Sequence, residues 1–175
     1  MGYTTDFAGQ FTVTPPLRKN HQLYLEAFSD TRHMRRDPEL IEDLPDEVRW
    51  NVGLPVGLNG DYFVADPRGH IGVDRNAGDH NNPPDGVPGL WCQWTPTEHG
   101  DGIEWNGSEK FYDYTEWLRY LVEHFLTPWG YSLDGTVSYA GEEPEDTGVI
   151  YAKGGKVARV PDERSNPGPP PGWDD

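Results

Sequence analysis

Between Phe111 and Phe125 the apolar side chains fall at Phe111, Tyr114, Trp117, Leu118, Leu121, Val122 and Phe125. Three-and-four spacing of this kind is one face of a helix, and Asp113, Glu116, Arg119 and Glu123 take the other face. The pattern predicts a helix from Ser108 to Leu126. Ser108 is its expected N-cap, and Glu109 lies in the first turn, where a carboxylate suits the helix dipole. Pro128 and Gly130 end it. Just upstream, Leu90, Cys92 and Trp94 alternate with Trp91, Gln93 and Thr95, which is strand period. Residues 97–102 have turn composition, and Ile103 to Trp105 returns as the second strand. Trp on both faces of the first strand leaves two readings. One face packs under the helix, and the other is either covered or an exposed aromatic binding patch.

The same periodicities place the remaining elements. Residues 4–14 read as a strand with Phe7, Phe11 and Val13 apolar and a bulge at Gly9. Residues 18–31 read as a helix burying Leu23, Tyr24, Ala27 and Phe28, with Leu17 as a hydrophobic staple. One or two helical turns are expected over 38–52, with Pro45 opening the second. A short hairpin follows over 57–64, and then a long loop over 66–89. Residues 132–140, 148–153 and 156–160 form a meander, and Gly154-Gly155 supplies the positive φ of a two-residue hairpin loop. Residues 161–175 are a Pro-rich tail, expected to be disordered, with Trp173 near its end. The sum is a single α+β domain over residues 1–160 with an irregular insertion at about 33–89. Its two main helices pack on one face of a mainly antiparallel sheet, in an order that suits a ferredoxin-like arrangement with additions.

Charge narrows the partners. Thirty Asp and Glu against fourteen Lys and Arg give a net charge of −16. Phosphate contacts need cationic side chains, so direct binding to nucleic acid or an anionic membrane is disfavoured and a protein partner is expected. The only dense basic run is Arg32 to Arg36, a candidate anion site that Glu39, Glu42, Asp43, Asp46 and Glu47 could instead neutralise. The lone Cys92 cannot form an internal disulfide and suits a buried thiol in a reducing compartment. No window reaches transmembrane length, and no signal peptide is expected, which points to the cytoplasm.

Candidate chemistry is sparse. Phosphate-loop, nucleophile-elbow and zinc spacings are absent from the sequence, and no cofactor is expected. Asp74, Asn76, Gly78, Asp79 and His80 alternate like the start of a calcium loop, but glycine stands at the fifth position and Asp85 at the twelfth, so no metal is expected. Glu98, His99, Asp101 and Glu104 cluster on the predicted hairpin and would need a cleft to act as acid and base. The favoured ligand-binding set is Trp91, Gln93, Trp94, Glu104, Trp105 and Glu109. An aromatic wall with a few carboxylates can hold a cationic or sugar-like ligand.

The runs Met1-Gly2-Tyr3-Thr4-Thr5-Asp6-Phe7, Pro88-Gly89-Leu90-Trp91-Cys92-Gln93-Trp94, Ile103-Glu104-Trp105, Glu109-Lys110-Phe111-Tyr112 and Pro128-Trp129-Gly130-Tyr131 together resemble a family of small bacterial and bacteriophage proteins. The resemblance spans residues 1–160 and implies a shared cytosolic fold, with no catalytic residues to carry over. Three functions are consistent with the sequence. The first is a non-enzymatic binding or adaptor module using the Trp-rich hairpin and the acidic surface. The second is a phage-encoded inhibitor of a host or defence protein, imitating nucleic-acid charge. The third is a small enzyme with its site on the 98–104 hairpin.

Overall fold

The computed structural model describes residues 2–65 and 81–162. The calcium-like pattern at Asp74 to His80 and the Pro-rich tail from residue 163 lie outside them. The chain divides into two compact units, one comprising Met1–Leu17 and Gln93–Asp175, the other Arg18–Cys92.

The first unit carries seven strands: β1 (Thr5–Ala8), β2 (Gln10–Thr14), β3 (Trp94–Pro96), β4 (Gly102–Trp105), β5 (Ser132–Gly141), β6 (Thr147–Lys153) and β7 (Lys156–Pro161). They form one sheet in the order β3-β4-β2-β5-β6-β7, with β1 also paired to β5. Each pairing among the described residues is antiparallel. Alternation assigns the faces. Phe11 and Val13, Ile103, Leu133, Val137 and Tyr139, Ile150 and Ala152 point into the core, while Thr12, Thr136 and Ser138 are exposed. This is the period of two expected of a sheet with one buried face. The predicted meander is present, and Gly154 and Gly155 sit at φ 53° and 86° in its turn.

Gly9 departs from expectation. It has φ 102° and separates β1 from β2. Thr5 faces Gly141 and Thr14 faces Ser132, so both strands advance nine residues and none is inserted. Gly9 interrupts the ladder without the register offset of a bulge.

The helix of this unit starts later than its apolar pattern suggests. The α-helical part is Tyr114–Leu121, followed by a π-helical turn over Val122–Leu126. The N-cap is Asp113, in the left-handed region at φ 56° and without a side-chain capping bond. Ser108 is therefore not the cap and Glu109 is not in the first turn. The reason is a competing set of hydrogen bonds. Gln93 Nε2 donates to the Glu109 carbonyl (2.8 Å) and Trp105 Nε1 to the Ser108 carbonyl (3.1 Å), which holds residues 108–109 out of helical geometry. Trp117, Leu118, Leu121, Val122 and Phe125 are buried as the periodicity requires, and the helix packs against β3 and β7. The first strand of the hairpin is also shorter than expected, beginning at Trp94.

The second unit holds α1 (Lys19–Ser29), α2 (Pro38–Ile41) and α3 (Glu47–Trp50), so the helix of the first unit is α4. In α1 the buried face is Tyr24, Leu25 and Phe28, whereas Leu23 is 40% exposed, one position off the expected stripe. α1 packs on α3, and Asn20 Nδ2 donates to the Asn51 carbonyl (2.9 Å). The expected hairpin at 57–64 is instead a pair of turns pivoting on Gly57 and Gly60, at φ 93° and 77°. The fold class is thus α+β around a mainly antiparallel sheet. The packing of two main helices on one sheet face, and a ferredoxin-like arrangement, are not confirmed, since α1 and α4 fall in different units. No helix among the described residues is long and apolar enough to cross a membrane.

A buried ion pair organises the second unit. Arg49 Nε donates to Asp46 Oδ2 at 2.7 Å, with side chains only 4% and 1% exposed. The same oxygen accepts from the Val64 N–H (3.2 Å), and Arg49 Nη1 donates to the Leu54 carbonyl (2.8 Å), tying α3 to the segment after it. Removing one partner strands a buried charge, which costs about 3–5 kcal/mol. Asp46→Ala is therefore expected to lower the urea midpoint by that equivalent, and Asp46→Ala/Arg49→Met to recover part of the loss. Equal loss in both variants would mean that the pair is not what Arg49 stabilises.

Candidate functional site

The six residues of the expected aromatic-carboxylate site fall in both units. Trp91 belongs to the second unit and is 42% exposed. The other five lie in the first. Trp94 is buried, donates its Nε1–H to the Tyr114 carbonyl (2.8 Å), and meets Phe7, Phe11 and Phe111 edge-on at 5.3, 5.7 and 5.3 Å. Gln93 is also buried, and its Oε1 accepts from Trp105 Nε1 at 3.1 Å. Trp94 pairs with Trp105 across the hairpin, while Glu104 pairs with Thr95 and Gln10. Successive strand residues face opposite ways, so Glu104 lies on the other sheet face from Trp94 and Trp105. Glu109 is exposed and offers only its backbone carbonyl to Gln93. Trp94 and Gln93 thus act as core, and Trp105 and Glu109 are brought together without Glu104.

What these side chains build is a loop, residues 106–113. Asn106 N–H donates to the Gln93 carbonyl (2.8 Å), and Ser108 N–H to Asn106 Oδ1 (2.9 Å). Phe111, 2% exposed, plugs the loop into the core. Tyr112 is 53% exposed, and its hydroxyl accepts the Tyr3 N–H at 3.0 Å. Lys110 and Asp113 both adopt left-handed backbone, at φ 61° and 56°. For residues with a Cβ that conformation costs about 1 kcal/mol or more each, so the surrounding bonds must hold it. Burial, reinforced by Glu116, raises the Asp113 carboxyl above its usual range.

Two residues of this site were not singled out from the sequence. Phe7, half-buried on β1, centres the aromatic cluster, with Tyr114, Trp94, Trp105 and Phe111 at 4.9, 5.3, 5.3 and 5.7 Å. Its place on the core face of the first strand was the available signal. Tyr112 lies outside the helical stripe, and in a segment read as helix it had no distinguishing mark.

The other candidates resolve differently. Glu98, His99 and Asp101 are exposed on the β3–β4 turn. Asp101 Oδ1 accepts from Thr97 Oγ1 (2.6 Å), which in turn accepts the Gly102 N–H (3.0 Å), a turn-closing arrangement. Cys92 is fully buried. In the basic run Arg36 is buried, while Arg32 and Arg35 are partly exposed and bonded to neighbours. Arg35 pairs with Asp85 (2.8 Å), Arg32 donates to Asn81 Oδ1 (3.1 Å), and buried Arg36 stands 5.1 Å over the Phe63 ring. Asp46, expected to neutralise the run, pairs with Arg49 instead. His33 is buried with Nε2 2.7 Å from the Phe28 carbonyl, and burial pushes its pKa down to about 4. No group of three or more His, Cys, Asp or Glu among the described residues is placed to hold a metal ion.

Set against protein-family models, curated proteins and solved structures, the chain matches none.

Two predictions follow from these contacts. Gln93→Leu removes the bond to the Glu109 carbonyl and one of the two acceptors of the Trp105 N–H, at a cost of about 1 kcal/mol. Amide exchange should accelerate in residues 106–112 while β5 stays protected; uniform acceleration would mean that Gln93 supports the whole unit and not the loop. For His33, the folded pKa lies below the unfolded value of 6.5. Its contribution is full above pH 6.5 and is lost as pH falls toward 4, amounting to about 2 kcal/mol between pH 7 and pH 5. Thermal melts over that range should show His33→Gln with a correspondingly flatter pH dependence than wild type, and parallel curves would show that His33 is not the group responsible.

Proposed function

We propose that the protein is a non-enzymatic binding module that engages a protein partner through loop 106–113 and the adjoining Trp105. The observation that supports this is an exposed loop held in one shape from beneath. Gln93, Trp105 and Asn106 fix its backbone, the Tyr3 N–H holds the Tyr112 hydroxyl, two of its residues carry left-handed backbone, and Tyr112 and Glu109 are exposed. Loops carry function where a rigid scaffold positions them. One already ordered avoids much of the roughly 0.5–1.5 kcal/mol lost for each side chain immobilised on binding. An exposed tyrosine on it, Tyr112, suits an interface anchor. Such a module needs no cofactor, and the buried lone thiol of Cys92 fits the cytoplasm.

Charge favours a second reading. The described residues of the sheet-bearing unit hold fourteen carboxylates against five lysines and arginines. An inhibitor of a basic host or defence protein, imitating nucleic acid and related to the bacteriophage family that the sequence resembles, would use that imbalance. Exposure of Glu98, His99 and Asp101 weighs against the enzyme reading, because an acid–base pair on an open turn stays solvated.

The test is affinity capture from nuclease-treated host lysate, comparing wild type with Glu109→Ala/Tyr112→Ala matched for thermal midpoint. A partner depleted at least tenfold by the double variant is the expected result, and equal capture would remove the loop from the interface. Displacement of that partner by DNA and by salt would favour mimicry.

A further inference from the structure

The edge strand β7 has the features of a second, separate interaction site. It ends the sheet order, and no strand pairs with its outer side among the described residues. Lys153 faces Lys156 across the two-residue turn. In such a hairpin the closing pair exchanges both hydrogen bonds, and pairs then alternate. Val157 and Arg159 therefore turn their N–H and C=O groups outward, to the free edge. Arg119 confirms the direction: its Nε and Nη2 donate to the Val157 carbonyl at 3.3 and 3.1 Å.

A groove follows this edge. A cleft of about 390 Å³ is lined by Arg119 and Glu123 from the helix and by Gly155, Lys156, Val157 and Ala158 from the hairpin. It shares Glu123 and Gly155 with a neighbouring cleft of about 660 Å³, whose wall is the π-helical turn and Thr127 to Ser132. π-Helical turns are rare and recur at functional sites. A groove between an edge strand and a helix is the setting for strand addition, in which an extended peptide bonds to the edge and seats alternate side chains against the helix.

Charge selects the occupant. Of the five basic residues in the described sheet-bearing unit, three (Arg119, Lys156 and Arg159) lie on this edge or the helix beside it, and Lys153 ends the neighbouring β6. Arg119 meets Glu116 only at 4.0 Å, with both side chains about half exposed, and Lys156 is exposed; Arg159 is exposed too, with Nη1 donating to the Tyr139 hydroxyl at 3.2 Å. We propose that β7 accepts an acidic, extended segment of a partner protein as an added strand. The segment bonds to the Val157 and Arg159 backbone, displaces Arg119 from the Val157 carbonyl, and places carboxylates beside Lys156 and Arg159. This site is independent of loop 106–113.

Basic residues on an edge strand also serve to block unwanted pairing, and the experiment separates the two roles. A display library of random octapeptides is panned against the full chain, and the leading peptide is titrated into isotope-labelled protein. The expected peptides are acidic and free of proline at alternate positions. The Val157 and Arg159 amides shift and gain exchange protection, and Lys156→Glu weakens the Kd at least fivefold with an unchanged thermal midpoint. Selection of basic peptides, of none, or of peptides that shift amides elsewhere overturns the proposal. So does Lys156→Thr producing a concentration-dependent dimer with peptide affinity unchanged, which would assign the lysine to edge protection.

Discussion

The register of β5 is the constraint on which the first unit depends. It pairs with β1 and β2 on one side and β6 on the other, and it sends Leu133, Val137 and Tyr139 inward. A slip of one residue would turn all of them to solvent and bring Thr136 and Ser138 into the core. Because β1 and β2 hold one register across Gly9, Phe7 and Phe11 stay on the same face, and Trp94 can meet both rings edge-on. Edge-to-face rings contribute about 0.5–1.5 kcal/mol a pair beyond their area. The cluster around Phe7 is therefore a consequence of strand pairing set by a sequence neighbour more than a hundred residues away.

That cluster in turn explains the loop. A segment with helical periodicity is held out of a helix because the buried Gln93 amide beneath it needs a partner and the half-buried Trp105 indole takes a second carbonyl beside it. Gln93 donates to the Glu109 carbonyl and Trp105 to the Ser108 carbonyl, which helix formation from Ser108 would redirect. The helix gives up about a turn and a half, and the buried Gln93 amide avoids the larger penalty of lying unsatisfied. Local propensity lost to a tertiary requirement, and the exposed loop is the product.

The sequence was most legible where one element answers to one period. The Gly154-Gly155 meander, the stripe from Trp117 to Phe125 and the short helices after Pro38 and Pro45 all rest on local spacing or turn chemistry, and all are present. It was least legible where partners are distant. Nothing near Ser108 says that Gln93 will take the next residue's carbonyl. Nothing near Arg32 to Arg36 says that Asp85 will take Arg35 while Arg36 is buried against Phe63. Within the six-residue site, Glu104 lies across the sheet from Trp94 and Trp105 for a simpler reason. Glu104 and Trp105 are adjacent in a strand, and adjacency there means opposite faces. The division of the chain at Arg18 and Cys92 carries no composition shift to announce it.

The charge distribution has the same character. A net charge of −16 describes the chain, but it does not describe every surface. From Asp113 at the head of α4 to Glu123 in the π-helical turn is ten residues, about 15 Å along a helix. The Debye length at physiological salt is about 8 Å, so exposed charges at the two ends act almost independently. Glu109 and Asp113 set the field at the loop, whereas Arg119, Lys156 and Arg159, offset in part by Glu116 and Glu123, set it at the β7 edge. One small unit can therefore present an acidic aromatic loop and a basic strand edge at once. A composition that argues for a basic partner at the first surface leaves the second free to take an acidic one.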